Sequence, residues 1–93
     1  MKYEWIIGIG GTAVNSVILY RFTGTIPEVK KQLLSMVKED RANNKEEWEY
    51  GSTKLADVED RTGGSKTEFY AYGCYSDYHI DYTARRLDCI EAV

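Results

Sequence analysis

The sequence predicts an α+β domain in which an antiparallel sheet of four to five strands carries one helix, at about residues 25–42, on one face. Two observations lead to this fold class: side chains alternate with a period of two near both ends of the chain, and a helical spacing of apolar residues separates these segments. The expected order is strand, strand, helix and two or three further strands. A length of 93 residues fits a single domain, residues 1–93.

The first two strands are expected to form a hairpin around a glycine turn. Residues alternate from Lys2 to Ile9, Gly10 and Gly11 suit a turn, and β-branched and aromatic residues are frequent from Thr12 to Phe22. The stretch GIGGTA, residues 8–13, also fits a loose dinucleotide-binding pattern, but that pattern needs a helix to follow it. Because strand-forming residues follow, we interpret it as a hairpin turn.

The helix has a start signal and an apolar stripe. Thr25 and Glu28 fit a T-x-x-E capping box, and Pro27 occupies the first turn, where its missing N–H costs no hydrogen bond. The apolar residues at helical spacing are Ile26, Val29, Leu33, Met36 and Val37. This stripe predicts that one side of the helix packs on the sheet.

The second half of the chain returns to strands. The expected elements are a short strand around Trp48 and Tyr50, a helical turn or irregular strand over 54–59, a turn over 62–65, and strands over 66–75 and 78–85. On the last strand we expect Tyr78, Ile80 and Tyr82 in the core. The alternation then leaves His79, Asp81, Thr83 and Arg85 in a polar row on the opposite face.

Composition excludes several function classes. A net charge of −3 argues against non-specific nucleic-acid binding, and no apolar run reaches the ~18 residues of a membrane span. No signal peptide is visible, so a cytoplasmic location is expected. Cys74 and Cys89 are isolated and, with a single histidine, fall short of a zinc ligand set. We therefore expect free thiols, no metal and no cofactor.

The aromatic stretch FYAYGCYSDYHIDYTARR, residues 69–86, holds five tyrosines, more than a core of this size needs. Tyrosine rings stack on bases and arginine forks pair with phosphate, which makes this region a candidate ligand site. The candidate ligand-binding residues are Arg21, Tyr70, Tyr72, His79, Asp81, Thr83 and Arg85. His79 and Asp81 could orient a general base, but no nucleophile signature accompanies them, so we expect a binding protein and not an enzyme.

In size, acidity, aromatic content and the absence of a catalytic motif, the chain resembles small phage-encoded anti-defence proteins, a likeness carried by no specific motif. This group includes anti-CRISPR proteins and oligomeric sponges that sequester cyclic-nucleotide or cyclic ADP-ribose immune signals. The resemblance implies a viral protein in the host cytoplasm that sequesters a phosphorylated nucleotide-type signal. The alternative is a protein inhibitor of a host defence effector, with Glu47, Trp48, Glu49 and Tyr50 meeting a basic groove.

A homodimer or higher oligomer is also expected. One helix covers one face of the sheet, so Tyr70, Tyr72 and Cys74 would otherwise leave an apolar patch in water. The expected partners are therefore a second copy of the chain and either a phosphorylated ligand or a host protein.

Overall fold

The computed structural model describes residues 1–91 and confirms the α+β fold, with one helix packed on an antiparallel sheet. The sheet has six strands in the order β2-β1-β6-β5-β3, and β4 also pairs with β5. The elements are β1 Tyr3–Gly10, β2 Ile18–Gly24, α1 Ile26–Asn43, β3 Trp48–Gly51, β4 Glu59–Asp60, β5 Glu68–Tyr75 and β6 Tyr78–Arg86, with 3₁₀ turns at Leu55–Asp57 and Leu87–Cys89. The irregular region predicted over 54–59 is thus a 3₁₀ turn leading into β4.

The β1–β2 hairpin is present, but its second strand starts six residues later than predicted. Residues 11–17 form a loop because hydrogen bonds hold this segment to β6. Ala13 N–H donates to the His79 carbonyl at 3.0 Å, and His79 N–H donates to Thr12 Oγ1 at 2.9 Å. Gly11 has a φ of +107°, and a Cβ there would lie 2.5 Å from the His79 carbonyl oxygen. These long-range bonds override the strand preference of the loop residues.

Helix α1 begins with the predicted capping box. Glu28 N–H donates to Thr25 Oγ1 at 3.3 Å, and Thr25 N–H donates to Glu28 Oε1 at 2.8 Å. The hydrogen bonds from Thr25 hold the pKa of the Glu28 carboxyl below its usual value. Val29, Leu33 and Val37 are fully buried against the sheet, as the apolar stripe predicted.

The core lies between α1 and one face of the sheet. Its largest members on the strands are Trp5, Ile7, Phe69, Ile80 and Tyr82. Near the end of α1, the Tyr82 hydroxyl donates to the Asp40 carboxylate, and burial together with this bond raises the pKa of Tyr82.

The core prediction for Tyr78 is wrong. Tyr78 is more than half exposed because it occupies the first position of β6, at the end of the sheet beside the Ser76–Asp77 turn. No helix in the described part of the chain is long and apolar enough to cross a membrane.

Candidate functional site

The face of the sheet opposite α1 carries all seven residues predicted to bind a ligand. In the strand register, Tyr70 lies opposite Thr83 and Tyr72 lies opposite Asp81. Ile6 on β1 lies opposite Arg21 on one side and Arg85 on the other. We refer to this surface as the uncovered face. The period-two alternation of the strands brings these residues to one side, as the sequence predicted.

The tyrosines of the uncovered face form a row in which they pack on one another. The Tyr70 and Tyr72 rings are stacked, with centroids 6.3 Å apart and planes at 15°. The Arg61 guanidinium lies 3.8 Å above the Tyr70 ring centroid, and Tyr50 meets Tyr72 edge-on at 6.2 Å. Because Arg61 covers Tyr70 and the two rings are too close to admit a base, a stacked nucleotide has little free ring surface here.

The polar residues beside these rings are also engaged within the chain. The Tyr70 hydroxyl donates to Asp81, and burial together with this bond raises the pKa of Tyr70 to about 12. His79 Nε2 lies 3.5 Å from Asp81, and its Nδ1 lies 3.2 Å from Thr12 Oγ1. The predicted His79–Asp81 pair is therefore present, within a series of polar contacts that runs from Tyr70 to Thr12.

Both arginines of the uncovered face have a carboxylate partner of their own. Arg21 Nη2 lies 2.9 Å from Glu4 Oε1, and Arg85 Nε donates to Glu68 Oε1 at 2.6 Å. The Glu68 side chain is largely buried, whereas both guanidinium groups are mostly exposed. A phosphate that bound Arg85 would have to compete with Glu68 for the guanidinium, so the ligand would gain only the difference between two anionic partners.

The residues predicted to meet a protein partner have different environments. Trp48 packs against the core, stacked on Tyr75 with ring centroids 6.1 Å apart. Glu47 accepts a hydrogen bond from the Ser76 hydroxyl at 2.7 Å, and Glu49 accepts one from the Asp77 N–H at 3.3 Å. The glutamates thus support the β5–β6 turn. Tyr50 keeps more than half of its surface exposed.

Sequence reasoning missed a basic pocket between α1 and the segment that follows β3. The pocket has a volume of about 280 Å³ and is lined by Lys31, Leu34, Ser35, Lys38, Arg41, Ser52 and Thr53. Within residues 1–91, none of its three cationic side chains lies within 4 Å of a carboxylate. The separations of seven and three residues place these cations on one stripe of α1, and this spacing was readable in the sequence.

The wall of the basic pocket opposite α1 is held by internal hydrogen bonds. Ser52 is buried, donates its N–H to the Tyr72 carbonyl at 2.9 Å and accepts the Tyr72 N–H on its hydroxyl at 3.1 Å. Asp57 Oδ2 accepts hydrogen bonds from the Thr53 N–H and hydroxyl and from the Lys54 N–H, at 3.0–3.1 Å. These bonds lower the pKa of Asp57, so its charge is already compensated by its own loop.

Neither cysteine belongs to a possible metal site in residues 1–91. Cys74 is half-buried, Cys89 is exposed, and both are free thiols. No cluster of three or more histidine, cysteine, aspartate or glutamate side chains occurs in residues 1–91 in an arrangement that could hold a metal ion.

No protein-family model, curated protein or solved structure matches this chain. The resemblance in size and composition to small phage-encoded anti-defence proteins therefore stays a prediction. The viral source and the host cytoplasm that it implied stay predictions with it.

Proposed function

We propose that the protein is a non-catalytic binding protein that sequesters a small phosphorylated ligand of the nucleotide type in the basic pocket. The observation that supports this most directly is the grouping of Lys31, Lys38 and Arg41 around one concavity, where none of them forms an ion pair with a carboxylate of residues 1–91. In a chain with a net charge of −3, this group of cations attracts anions to this position, although Glu28 on the same helix offsets part of the charge of Lys31.

The pocket chemistry suits a phosphate group. Arg41 presents a planar fork for bidentate pairing with phosphate oxygens, and the two lysines act as compact positive charges. The Thr53 and Ser35 hydroxyls at the rim add hydrogen-bond donors. A volume of about 280 Å³ lies just below the ~300–1,000 Å³ of drug-sized ligand sites, which fits a phosphate and part of a nucleoside.

The basic pocket is a better phosphate site than the arginines of the uncovered face. Arg21 and Arg85 are each neutralised by a glutamate, so a ligand gains only the difference between two anionic partners. A charged hydrogen bond made by a previously unpaired cation is worth roughly 1.5–3 kcal/mol. The pocket cations keep this interaction available to a ligand, reduced by solvent screening because all three side chains are exposed.

Calorimetric titration tests the proposal with inorganic phosphate, pyrophosphate, adenosine monophosphate, cyclic nucleotides and ADP-ribose. We expect at least one nucleotide to bind, with an affinity that falls at least tenfold in Lys38→Ala and in Arg41→Ala. Lys45→Ala is the matched control, because Lys45 is exposed, lies outside this pocket and carries the same charge. Arg85→Ala separates the pocket from the uncovered face. The proposal is wrong if none of these compounds binds, or if the control weakens binding as much as Lys38→Ala does.

A second candidate function is the binding of a protein partner on the uncovered face. The observation in its favour is Tyr50, whose exposed ring borders the packed tyrosine row, since tyrosine is enriched in protein interfaces. Affinity capture from a host lysate should then yield a stoichiometric protein that Lys38→Ala retains and Tyr50→Ala loses. A captured protein that both variants retain equally argues against this surface.

A further inference from the structure

Strand β2 forms an edge of the sheet that the fold leaves open. β2 pairs with β1 alone, from Tyr3 opposite Gly24 to Ile9 opposite Ile18, without a register shift. Every second residue of β2 therefore turns its N–H and C=O away from β1. Natural edge strands are protected by proline, charged side chains, bulges or short length; β2 is seven residues long without proline, lysine or a bulge, and Arg21 is its one charged residue.

The residues at this edge are apolar on both faces of the sheet. Four consecutive side chains are exposed: Val17 by 66%, Ile18 by 43%, Leu19 by 67% and Tyr20 by 46%. Their combined exposed surface is on the order of 400 Å² per chain, a patch size that in soluble proteins often marks an interaction site.

The neighbouring strand and helix explain why these side chains are left in water. On the uncovered face, Leu19 leans over Gly8, where its Cδ2 lies 3.4 Å from the position that a Cβ would take. On the other face, a groove of about 350 Å³ separates β2 from α1, with Tyr20, Phe22 and Met36 among its lining residues. The single helix is too narrow to cover the edge of a sheet this wide.

We propose that β2 pairs antiparallel with β2 of a second copy, so that two chains form a homodimer with one continuous sheet. A second copy fits this edge because an antiparallel pair related by a twofold axis is self-complementary. Val17 and Leu19 of one chain then meet apolar side chains on the same face of the other chain, as do Ile18 and Tyr20 on the opposite face, and only the residue nearest the twofold axis lies beside its own counterpart.

Charge and area both fit a second copy. The only charged residue of β2 is Arg21, and its own Glu4 neutralises it, so two β2 strands meet without like-charge repulsion. The four side chains of two copies together expose on the order of 800 Å², and pairing covers part of this area along with backbone and flanking surface, so the interface lies at or below the ~1,000 Å² lower limit of a specific interface. The twofold axis is perpendicular to the sheet, so both uncovered faces lie on the same side of the dimer.

This dimer differs from the oligomer that the sequence suggested. The expected interface contained Tyr70 and Tyr72, but these rings already pack on each other and beneath Arg61. A run of four consecutive exposed apolar residues lies instead at the β2 edge, where an unpaired row of backbone groups accompanies it.

Sedimentation velocity on the full chain tests the dimer. We expect the wild-type protein to be dimeric at ~100 µM, given an interface near the lower size limit for specific association. Leu19→Lys should raise the dimer dissociation constant at least tenfold, because it places a charge on each side of the new strand pair. Tyr50→Lys is the matched control: it puts the same charge on an exposed position of β3, at the opposite edge of the sheet. Circular dichroism checks that each variant is folded.

Cysteine cross-linking then tests the geometry. In a Cys74→Ser, Cys89→Ser background, single cysteines at 18, 19, 20 and 21 should cross-link to their own counterparts with a sharp maximum at the residue nearest the twofold axis. A monomer at ~100 µM, an unchanged dimer in Leu19→Lys, or a flat cross-linking profile would each overturn the proposal. A dimer that only Tyr50→Lys breaks would overturn it too, and would place the interface on the uncovered face. None of these outcomes depends on ligand binding.

Discussion

Replacement of Gly73 by alanine is expected to destabilise the fold through one neighbour, the indole of Trp48. A Cβ on Gly73 would lie 2.2 Å from Trp48 Cη2 and 2.9 Å from Cζ2, far inside ordinary contact. Gly73 is buried in the middle of β5 and does not have a positive φ, so backbone strain plays no part. The only difficulty for alanine at this position is space.

The cost follows from how far the indole must move. To reach the 3.5–4.0 Å at which carbon atoms pack, the ring has to withdraw by roughly 1.3–1.8 Å. Tyr75 resists this movement, because its ring is stacked on Trp48 with planes 16° apart. Overpacking of this kind typically costs about 1–3 kcal/mol. In a domain of this size, such a loss lowers the melting temperature by on the order of 10 °C.

The assay is urea denaturation of Gly73→Ala beside Gly10→Ala. Gly10 is also a strand glycine without a positive φ, but the nearest atom to a Cβ there is Val17 Cγ2 at 3.8 Å, an ordinary contact. Gly10→Ala should therefore change the free energy of unfolding by less than about 1 kcal/mol, in the stabilising direction, because alanine has less freedom than glycine in the unfolded chain.

A double-mutant cycle identifies the cause of the loss. In a Trp48→Ala background the ring is gone, so Gly73→Ala should cost nothing, and the two positions should show a coupling energy of about 1–3 kcal/mol. The reasoning fails if Gly73→Ala is as well tolerated as Gly10→Ala. It also fails if the cost of Gly73→Ala is the same with and without the indole.

Three further predictions concern the core and two ionisable groups. Leu33→Ala should cost about 2–5 kcal/mol in urea denaturation because Leu33 is fully buried, and a loss no larger than that of the exposed Ser35→Ala would contradict the packing of α1. In a spectrophotometric titration, Tyr70 should ionise near pH 12. Because its folded pKa lies above the unfolded value of ~10, the contribution of Tyr70 to stability is complete below pH 10 and is lost between pH 10 and 12. Ionisation of all eight tyrosines near pH 10 in the folded protein would refute this. Arg85→Ala should change the free energy of unfolding by less than about 1 kcal/mol, because the Arg85 side chain in the ion pair with Glu68 is mostly exposed. A larger loss of stability in a thermal-shift assay would show that the Glu68 carboxylate needs Arg85 as its partner.

The parts of the fold that depend on local signals were predictable from the sequence. The capping box at Thr25 and the apolar stripe through Leu33 specify α1 within a residue or two, because both act between positions three or four apart. The loop over 11–17 was not predictable, since its hydrogen bonds go to His79, more than sixty residues away. The two-residue strand β4 likewise exists only because Tyr70 lies beside it.

The candidate sites, like the fold, were predictable from the sequence only where local patterns define them. Alternation along β5 and β6 was enough to place Tyr70 and Asp81 on one face. The sequence did not show whether the polar side chains of this face already have partners within the chain. The ion pair of Arg85 with Glu68, for example, depends on the register between two strands. The basic pocket was missed because its second wall, at Ser52 and Thr53, comes from an irregular segment without a periodic pattern.

The two proposed surfaces lie at opposite edges of the sheet, which makes their functions separable. The basic pocket borders the end of β3, whereas the dimer edge is β2, four strand positions away in the order β2-β1-β6-β5-β3. At ~4.8 Å per strand these two edge strands lie about 19 Å apart, beyond the ~7–10 Å over which substitutions usually interact, and α1 is the one element near both surfaces, since Ser35 lines the pocket and also the groove beside β2. Ligand should therefore bind one per chain without cooperativity, and Leu19→Lys should bind it as tightly as the wild type while being monomeric. Lys38→Ala should in turn dimerise normally while losing the ligand. A monomeric Leu19→Lys that also lost ligand binding would show that the pocket is completed by the second chain, and the separation of the two surfaces would have to be given up.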